Sequence, residues 1–562
     1  MIRDFAKNII QLSATTENGQ PLISTRYDKN TWVIEACTQS IVVSYQVYAW
    51  DLSVRSAHLD TTHAYFNGSS VFLQVDGQQD QICHVELQRP PGPDYENWRV
   101  ATSLPASDTD TRGFGVYQAS DYDELIDHPV EMGTFTLATF EAGGIAHDIV
   151  ITGQHHADME RLCRDLKLIC EQHIHLFGEL PKIDRYVFLI TVVGEGYGGL
   201  EHRASTSLLC SRDDLPRKGD DAITDQYRSF LGLCSHEYFH TWNIKRIKPA
   251  VFMPYALKQE SHTRQLWAFE GITSYYDDLA LLRCGLIDLD SYLELLGQTA
   301  TRVWRGQGRH LQSVADSSFD AWTKFYKQDE NAPNAIVSYY AKGALIALAL
   351  DMTLRKLSDN AIALDDLMRR LWQDYGKPGK GLQEGEIETL AAELVGHDLS
   401  DFFQRYLYGT EDLPLNELLS IIGIEFKLRA ADNADDKGGK PAAGKNKKSP
   451  VWLGARMATH PAGVKLTHVF SQSPAMQAGL SAGDVIIAVN NLQVDKPKLE
   501  KILRHATSET TLHLHAFRRD ELMPFTIKLT AAPKDTCYFL PQASASSIQN
   551  KKRAQWMASA PV

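Results

Sequence analysis

The segment LCSHEYFHTWNIKR, Leu233 to Arg246, carries two histidines four residues apart. Residues at this spacing share one face of an α-helix, so His236 and His240 are predicted to point at the same spot. Imidazole is a zinc ligand, and Glu237, directly after the first histidine, is placed to reach a zinc-bound water. The H-E-x-x-H spacing therefore predicts a hydrolytic zinc site on this helix.

A coincidental motif is the alternative, because the chain contains 20 histidines. Chance alone produces such a match in roughly one chain in twenty to thirty of this composition. The flanks decide between the two, since they are apolar at helical spacing: Phe230, Leu233, Cys234 and Phe239. Two histidines in so apolar a helix are costly unless something binds them, so the context favours metal ligands.

A catalytic zinc needs a third protein ligand and one open position. Downstream, LWAFEGITSYY places Glu270 in an apolar helical stretch, where a lone carboxylate needs a partner. The rival is Glu260 in LKQESHTRQ, a polar stretch that is typical of an exposed segment. We therefore predict Glu270 as the third ligand.

The rest of the chain changes character along its length. Residues 1–155 contain short runs rich in Val, Ile, Tyr and Thr, which predict a β-sandwich-like domain. Residues 156–300 begin with a predicted helix capped by Asp158 and followed by Gly178, and then the buried strand RYVFLITVV. The pattern then becomes mainly helical, and residues 301–428 continue it. The fold class is therefore multidomain α+β.

Residues 430–450 contain no large apolar residue, and we predict a flexible linker over 429–450. In residues 451–532, the order SPAMQAGLSAGDVIIAVNN resembles a PDZ domain, and WLGA at 452–455 lies where its carboxylate-binding loop belongs. The expected partner is a peptide or a protein C-terminus added as a strand, and a simple spacer domain is the alternative. Residues 533–562 form the tail, which is expected to be loosely ordered from about 540.

Composition limits the class of protein. The 562 residues carry a net charge of −13, which argues against a nucleic-acid partner. The chain has no apolar run of 18 residues, so no membrane span is predicted, and the N-terminus lacks the apolar core of a signal peptide. Eight cysteines without a C-x-x-C pair predict reduced thiols and a cytoplasmic location.

The pair HEYFHTW and WAFEGITSYY resembles the gluzincin arrangement of thermolysin and aminopeptidase N. However, 29 residues separate His240 from Glu270, farther than the family of aminopeptidase N places this ligand. A β-rich N-terminal domain, a thermolysin-like catalytic domain and a PDZ domain instead resemble the glycyl aminopeptidase family, as do HTWNIKRIKP and HAYFNGSSVFL. The resemblance covers nearly the whole chain up to about residue 532. Family members carry further strands before a MIRDF-like stretch, so the first strands of the N-terminal domain are expected to be missing.

The resemblance also implies two further site segments. SYYAKGALIAL is similar to the Y-x-K-G helix of the aminopeptidases, where the tyrosine stabilises an oxyanion. The match falls on Tyr340, and Tyr339 is the neighbour that could take its place. GYGGLEH resembles G-x-M-E-N, with Leu in place of Met and His in place of Asn. Glu201 would then anchor the substrate amine, and Gly198 and Gly199 would let the substrate backbone approach.

Together these residues imply a zinc aminopeptidase with one Zn²⁺ per chain that releases N-terminal Gly or Ala. Glu237 would act as the general base of this reaction. One alternative is a zinc endopeptidase, which would not need Glu201 near an amine. Another is a peptide-binding scaffold in which the PDZ domain matters and the metal centre is vestigial.

Overall fold

The computed structural model describes residues 2–442 and 450–558, which fall into two compact units, 1–247 and 248–562. All eight cysteines lie in the described ranges and all are free thiols. Among the described helices, none has the length and apolarity needed to cross a bilayer.

The N-terminal domain of the first unit is built from short strands and one short helix, α1 (Tyr122–Ile126). The strands form sheets in the orders β2-β1-β5, β3-β4, β6-β7-β12-β9 and β10-β11-β8. Their bounds are β1 (Ile9–Thr16), β2 (Pro21–Leu22), β3 (Ser24–Arg26), β4 (Trp32–Ile34), β5 (Ile41–Val47), β6 (Ala57–Leu59), β7 (His63–Phe66), β8 (Cys83–Leu87), β9 (Arg99–Ala101), β10 (Ala106–Thr109), β11 (Gly115–Ala119) and β12 (Val130–Gly133). A core around Trp98, Phe114 and Tyr117 holds several of these strands together. The predicted β-rich N-terminal domain is confirmed.

A mixed five-stranded sheet with the order β13-β14-β15-β17-β16 completes the first unit. Its elements are β13 (Thr136–Ala142), β14 (Ile145–Thr152), α2 (Met159–Phe177), β15 (Arg185–Val193), β16 (Tyr197–Glu201), β17 (Ser205–Ser211) and α3 (Asp225–Phe239). The buried β15 lies parallel to both β14 and β17. Asp158 caps α2 and Gly178 ends it with a φ of 83°, as the sequence predicts.

The boundary predicted at residue 155 is too late. It assigns β13 and β14 to the N-terminal domain, but both strands belong to the sheet that contains β15. An alternating pattern identifies a strand without identifying the sheet that it joins, so the sequence could not settle this boundary.

The second unit begins with a helical region in which a π-helical turn, Trp267–Gly271, leads directly into the first helix. The helices are α4 (Ile272–Arg283), α5 (Leu289–Arg305), α6 (Val314–Phe319), α7 (Ala332–Ala335), α8 (Ala341–Leu357), α9 (Leu364–Leu371), α10 (Glu386–Val395), α11 (Ser400–Tyr406) and α12 (Leu415–Ser420). Helix α8 is buried nearly all round and forms the centre of this region. The predicted division at residue 300 falls inside α5, so it does not separate two bodies.

Strand β18 (Ile424–Arg429) leads from the helices to the PDZ domain. The PDZ elements are β19 (Val451–Trp452), β20 (Ala455–His460), β21 (Gly463–Val469), α13 (Pro474–Gln477), β22 (Val485–Val489), β23 (Leu492–Gln493), α14 (Lys496–His505), β24 (Thr511–Arg518), β25 (Glu521–Lys528) and β26 (Thr530–Ala531). Their core contains Val464, Leu466, Ile486, Leu499 and Ile527, all fully buried. The predicted PDZ fold is confirmed.

The predicted flexible linker is wrong for its first part. Arg429 pairs with Asp436, and the amide of Gly439 donates to the carbonyl of Cys537 at 2.8 Å. A Cβ at Gly297 would lie 2.6 Å from the Cα of Gly439, so this segment packs directly on α5. A glycine-rich polar composition suggests a flexible backbone. Here, however, glycine has no side chain, and this allows the backbone of the segment to pack closely against α5. The part of the predicted linker at 443–449 lies outside the described residues.

The prediction of a loosely ordered tail is also wrong up to residue 558, while its last part, 559–562, lies outside the described residues. Strand β27 (Thr536–Pro541) pairs with β18, and α15 (Ser547–Met557) follows it. Trp556 is fully buried and anchors α15. The tail sequence is mostly polar, and composition alone therefore suggests disorder. The burial of one large aromatic side chain, Trp556, nevertheless holds α15 in place.

Candidate metal centre and peptide-binding strand

Helix α3 presents the two motif histidines on one face. The rings of His236 and His240 lie with their centroids 4.7 Å apart and nearly perpendicular, at 87°. Nδ1 of His240 lies 2.9 Å from the carbonyl oxygen of Asn243. A carbonyl only accepts, so Nδ1 carries the proton and Nε2 carries the lone pair that a metal ion requires. The tautomer of His240 therefore fits a zinc ligand.

The carboxylate of Glu237 lies directly beneath the edge strand β16. Glu237 is 5% exposed, and a Cβ at position 199 would lie 2.0 Å from its Oε1 atom. Any side chain at position 199 would therefore displace the end of Glu237, whereas a Cβ at position 198 would meet no atom within 4 Å. Among the predicted substrate glycines, the structure gives a steric reason for Gly199 alone.

Strand β16 also brings a second carboxylate to this place. Glu201, Glu237 and His240 each offer a ligand atom, and these atoms lie within 4.8 Å of one another. Among the described strands β16 pairs with β17 alone, so it is an edge strand of this sheet, the kind of strand to which an extended peptide can add. Near the middle of β16, the Arg55 guanidinium donates to the carbonyl of Gly199 at 3.4 Å. No sequence motif predicts this contact.

The end of this strand is fixed by a buried aspartate that sequence reasoning missed. Asp127 accepts from the backbone amide of Arg203 at 2.9 Å, pairs with the ammonium group of Lys245, and lies 3.5 Å from Nδ1 of His202. Burial alone would raise the pKa of Asp127, but Lys245, His202 and Arg203 hold it well below its ordinary value. Asp127 thus joins the residue after Glu201 to the loop after α3.

In the second unit, two predicted residues lie on neighbouring helices. Glu270 is half-buried on the π-helical turn, and Tyr340 is half-buried at the start of α8. A Cβ at Gly271 would lie 2.6 Å from the Cα of Gly343, so the two helices cross almost in backbone contact. The glycines of WAFEG and YAKG are therefore required by this crossing.

The hydroxyl of Tyr340 is favoured in its neutral, protonated form. Burial is the main cause that raises the pKa of Tyr340 well above its ordinary value, and the negative charge of the nearby Glu270 carboxylate adds to the effect. Its oxygen lies 3.2 Å from the hydroxyl of Tyr326, a neighbour that sequence reasoning did not single out. The rival Tyr339 is fully buried. The accessible hydroxyl of the pair is therefore that of Tyr340.

The rival third ligand, Glu260, is exposed and lies 3.5 Å from Nε2 of His262. Glu270 instead sits between the buried Phe269 and Gly271. The predicted site residues thus divide between the units, with His236, Glu237, His240, Glu201, Gly198 and Gly199 in the first and Glu270 and Tyr340 in the second. Two imidazoles and one carboxylate form a donor set that zinc accepts.

Comparison with known proteins gives the following matches. Residues 229–346 match the M61 glycyl aminopeptidase family, residues 1–134 the peptidase M61 N-terminal domain, and residues 450–529 the PDZ domain. An aminopeptidase N family protein from Idiomarina loihiensis is 44% identical with a TM-score of 0.94, over 99% of this chain and 92% of that chain. A mutant M1 zinc metallopeptidase from Deinococcus radiodurans, bound to a Tyr-Ser-Ala substrate, is 14% identical with a TM-score of 0.43, over 72% of this chain and 87% of that chain. No curated protein matches the chain.

The matches follow the order of domains along the chain, and the 44% identity to a solved structure extends over nearly all of it. They confirm the resemblance that the H-E-x-x-H helix, the N-terminal domain and the PDZ unit predict. The chain therefore belongs to the M61 glycyl aminopeptidase family of metallopeptidases.

Proposed function

We propose that this protein is a zinc-dependent aminopeptidase that releases small N-terminal residues, Gly or Ala, from peptides. The observation that carries this proposal is the convergence of Glu201, Glu237 and His240 at strand β16. One carboxylate there can act on water and the other can bind an amine. An endopeptidase would not need the second carboxylate at this place.

The proposed zinc ligands are His236, His240 and Glu270. When bound, zinc supplies a Lewis acid that lowers the pKa of water and polarises the peptide carbonyl. Glu237 accepts a proton from the attacking water and passes it to the leaving amine as the C–N bond breaks. Glu237 is buried and packs against Gly199, which limits the space in which the carboxylate can move during both transfers.

Two other residues bind the substrate, one at its α-amine and the other at the carbonyl oxygen of the scissile bond. Glu201 pairs with the protonated α-amine and thereby fixes the scissile bond one residue from the N-terminus. The hydroxyl of Tyr340 donates a hydrogen bond to the oxyanion that develops on the carbonyl. Its raised pKa keeps that proton in place throughout the neutral range.

The experiment compares Gly-p-nitroanilide and a free peptide with their N-acetylated forms. We expect hydrolysis of the free forms only. Glu201→Gln removes a charged hydrogen bond of about 1.5–3 kcal/mol, so kcat/KM should fall about 10- to 100-fold. Glu195→Gln, at an exposed position just before β16, is the matched control and should behave as wild type. Equal cleavage of free and acetylated peptides would overturn the aminopeptidase assignment in favour of an endopeptidase.

A second measurement separates an enzyme from a vestigial scaffold. Glu237→Gln keeps the shape of the side chain but removes the base, so hydrolysis should fall about 10²- to 10⁴-fold while the zinc content stays equal to that of the wild type. Metal analysis of the purified variant checks the second part. Hydrolysis that survives this change would contradict the proposed role of Glu237.

We further propose that the PDZ domain binds an extended peptide. The conformation of the WLGA loop supports this proposal. Gly454 has a φ of 81°, and a Cβ there would lie 2.1 Å from the Cβ of Ser473, so the loop has a fixed and unusual shape. Titration of the whole protein with fluorescent peptides ending in a free or an amidated carboxyl group tests this. Binding that ignores the carboxylate would contradict it.

A cytoplasmic location is proposed from the thiols. All eight cysteines are free, and four of them are buried: Cys170, Cys210, Cys234 and Cys537. Reduced thiols are the ordinary state in the cytoplasm. Cell fractionation with an antibody against the protein tests the location, and recovery in a secreted fraction would contradict it.

A further inference from the structure

A cluster of metal-ligating side chains lies in the N-terminal domain, on the hairpin formed by β6 and β7. His58, Asp60 and His63 each offer a ligand atom, and these atoms lie within 4.8 Å of one another. Both histidines are buried, at 7% and 6% exposure, while Asp60 is half-exposed. The segment HLDTTHAYF contributes nothing to the aminopeptidase mechanism proposed above.

The two imidazoles face each other through their nitrogens. Nδ1 of His58 lies 3.1 Å from Nε2 of His63. Two nitrogens on one tetrahedral zinc, each at 2.0–2.1 Å from it, would be separated by about 3.3 Å. The observed separation is therefore close to that of two ligands sharing one ion.

A buried carboxylate sets the tautomer of His63. Its Nδ1 atom lies 3.0 Å from Oε1 of Glu131, which is 2% exposed and also accepts from the hydroxyl of Thr152 at 2.9 Å. Because Oε1 already acts as an acceptor for Thr152, Nδ1 of His63 donates to it, and Nε2 of His63 turns its lone pair toward His58. A carboxylate behind a histidine is the usual support of a metal-binding imidazole.

The loop of the hairpin orients the third group. Oδ1 of Asp60 accepts from the amide and hydroxyl of Thr62, each at 2.6 Å, and from the amide of His63 at 3.1 Å. These contacts fix Oδ1, so Oδ2 is the oxygen available to a cation. The exposure of Asp60 gives that cation a path from solvent.

We propose that His58, Asp60 and His63 form a second zinc site, in addition to the catalytic one. Imidazole nitrogens favour zinc over Mg²⁺ or Ca²⁺, which prefer oxygen ligands. Three protein ligands leave one position for water, and the bound ion would tie the β6–β7 hairpin together, with Glu131 of β12 behind it. None of these residues takes part in the proposed hydrolysis, so loss of this site should leave hydrolysis intact.

Zinc content of the full-length protein, measured by mass spectrometry after dialysis against dilute zinc, tests the proposal. We expect two zinc ions per chain in the wild type and one in His58→Gln, with unchanged kcat/KM on Gly-p-nitroanilide. Asp60→Asn keeps the Oδ1 acceptor of the loop and should weaken the second equivalent at least tenfold. His84→Gln, at an exposed position on β8, is the control and should retain two ions.

His236→Gln separates this site from the proposed catalytic metal. It should lose one zinc and all hydrolysis, and the double variant His58→Gln with His236→Gln should contain none. If His236 does not bind metal, the proposed function fails, yet His58→Gln still lowers the zinc content by one. A wild type with one zinc that His58→Gln leaves in place would overturn the second site and reduce the cluster to a hydrogen-bonded His58–His63–Glu131 chain.

Discussion

Gly199 and Glu237 are in such close contact that a Cβ at position 199 would lie 2.0 Å from the Oε1 atom of the glutamate. The carboxyl carbon and Cγ of Glu237 would lie 2.5 and 2.8 Å from it, so the whole end of the side chain would have to move. Gly199→Ala should therefore displace the proposed base by about 1 Å and lower kcat about 100-fold.

Gly198→Ala is the matched control for this change, because a Cβ there would meet no atom within 4 Å. Its kcat should stay within a few-fold of the wild type. Steady-state kinetics on Gly-p-nitroanilide, with melting temperatures for both variants, make the comparison. Equal activity of the two alanine variants would show that the contact with Glu237 does not matter.

The contrast between these glycines shows which parts of the site can be predicted from the sequence and which cannot. The spacing of His236 and His240 predicts a shared helix face, and the apolar flanks of Glu270 distinguish it from Glu260. The segment GYGGLEH indicates a glycine-rich strand by resemblance, but only the fold shows which glycine lies over Glu237.

Other site features depend on contacts distant in sequence. Asp127 lies 118 residues before Lys245, and Arg55 lies 144 residues before Gly199. No local pattern relates such pairs, because the topology of the sheet brings them together. The packing of Gly439 on α5 and of Trp556 in the core escaped prediction for the same reason.

Asp127 provides a prediction on stability and pH. Removing one member of a buried ion pair costs about 3–5 kcal/mol, so Asp127→Asn should lower the free energy of unfolding by this amount near pH 7. It should also lower kcat/KM, since Asp127 holds the residues after Glu201. Asp123→Asn, which removes a half-exposed partner of Arg203, is the control and should cost less than about 1 kcal/mol.

The sign of the pH dependence follows from the direction of the shift. The folded pKa of Asp127 is depressed below its ordinary value of 3.8, so its contribution to stability is fully present above that value. It is lost as the pH falls below 3.8 and through the folded pKa. Denaturant unfolding between pH 7 and pH 3 should therefore show a steeper acid loss for the wild type than for Asp127→Asn. Parallel curves would contradict the proposed pairing.

The two adjacent tyrosines make a second pair of matched variants. Tyr340→Phe removes the proposed oxyanion donor and should lower kcat about 10²- to 10³-fold with little change in KM. Tyr339→Phe removes a fully buried hydroxyl and should affect stability more than kcat. Kinetics and thermal unfolding of both variants check the assignment, and the reverse order of kcat losses would transfer the role to Tyr339.

The terminal helix α15 supports the helix that follows the Glu270 turn. The indole nitrogen of Trp556 donates to the hydroxyl of Tyr275 at 2.9 Å, and the guanidinium of Arg283 donates to the Trp556 carbonyl at 3.2 and 3.3 Å. Both partners belong to α4. Trp556→Ala should therefore cost about 3–5 kcal/mol of stability through the cavity it leaves.

The matched control on the same helix is Ile548→Ala, because Ile548 is 65% exposed and its loss should change the free energy of unfolding by less than about 0.5 kcal/mol. Denaturant unfolding monitored by circular dichroism measures both. Because α4 continues directly from Glu270, Trp556→Ala should also release bound zinc at a lower chelator concentration than Ile548→Ala. A tail that were loosely ordered would instead give two variants indistinguishable from the wild type in both measurements.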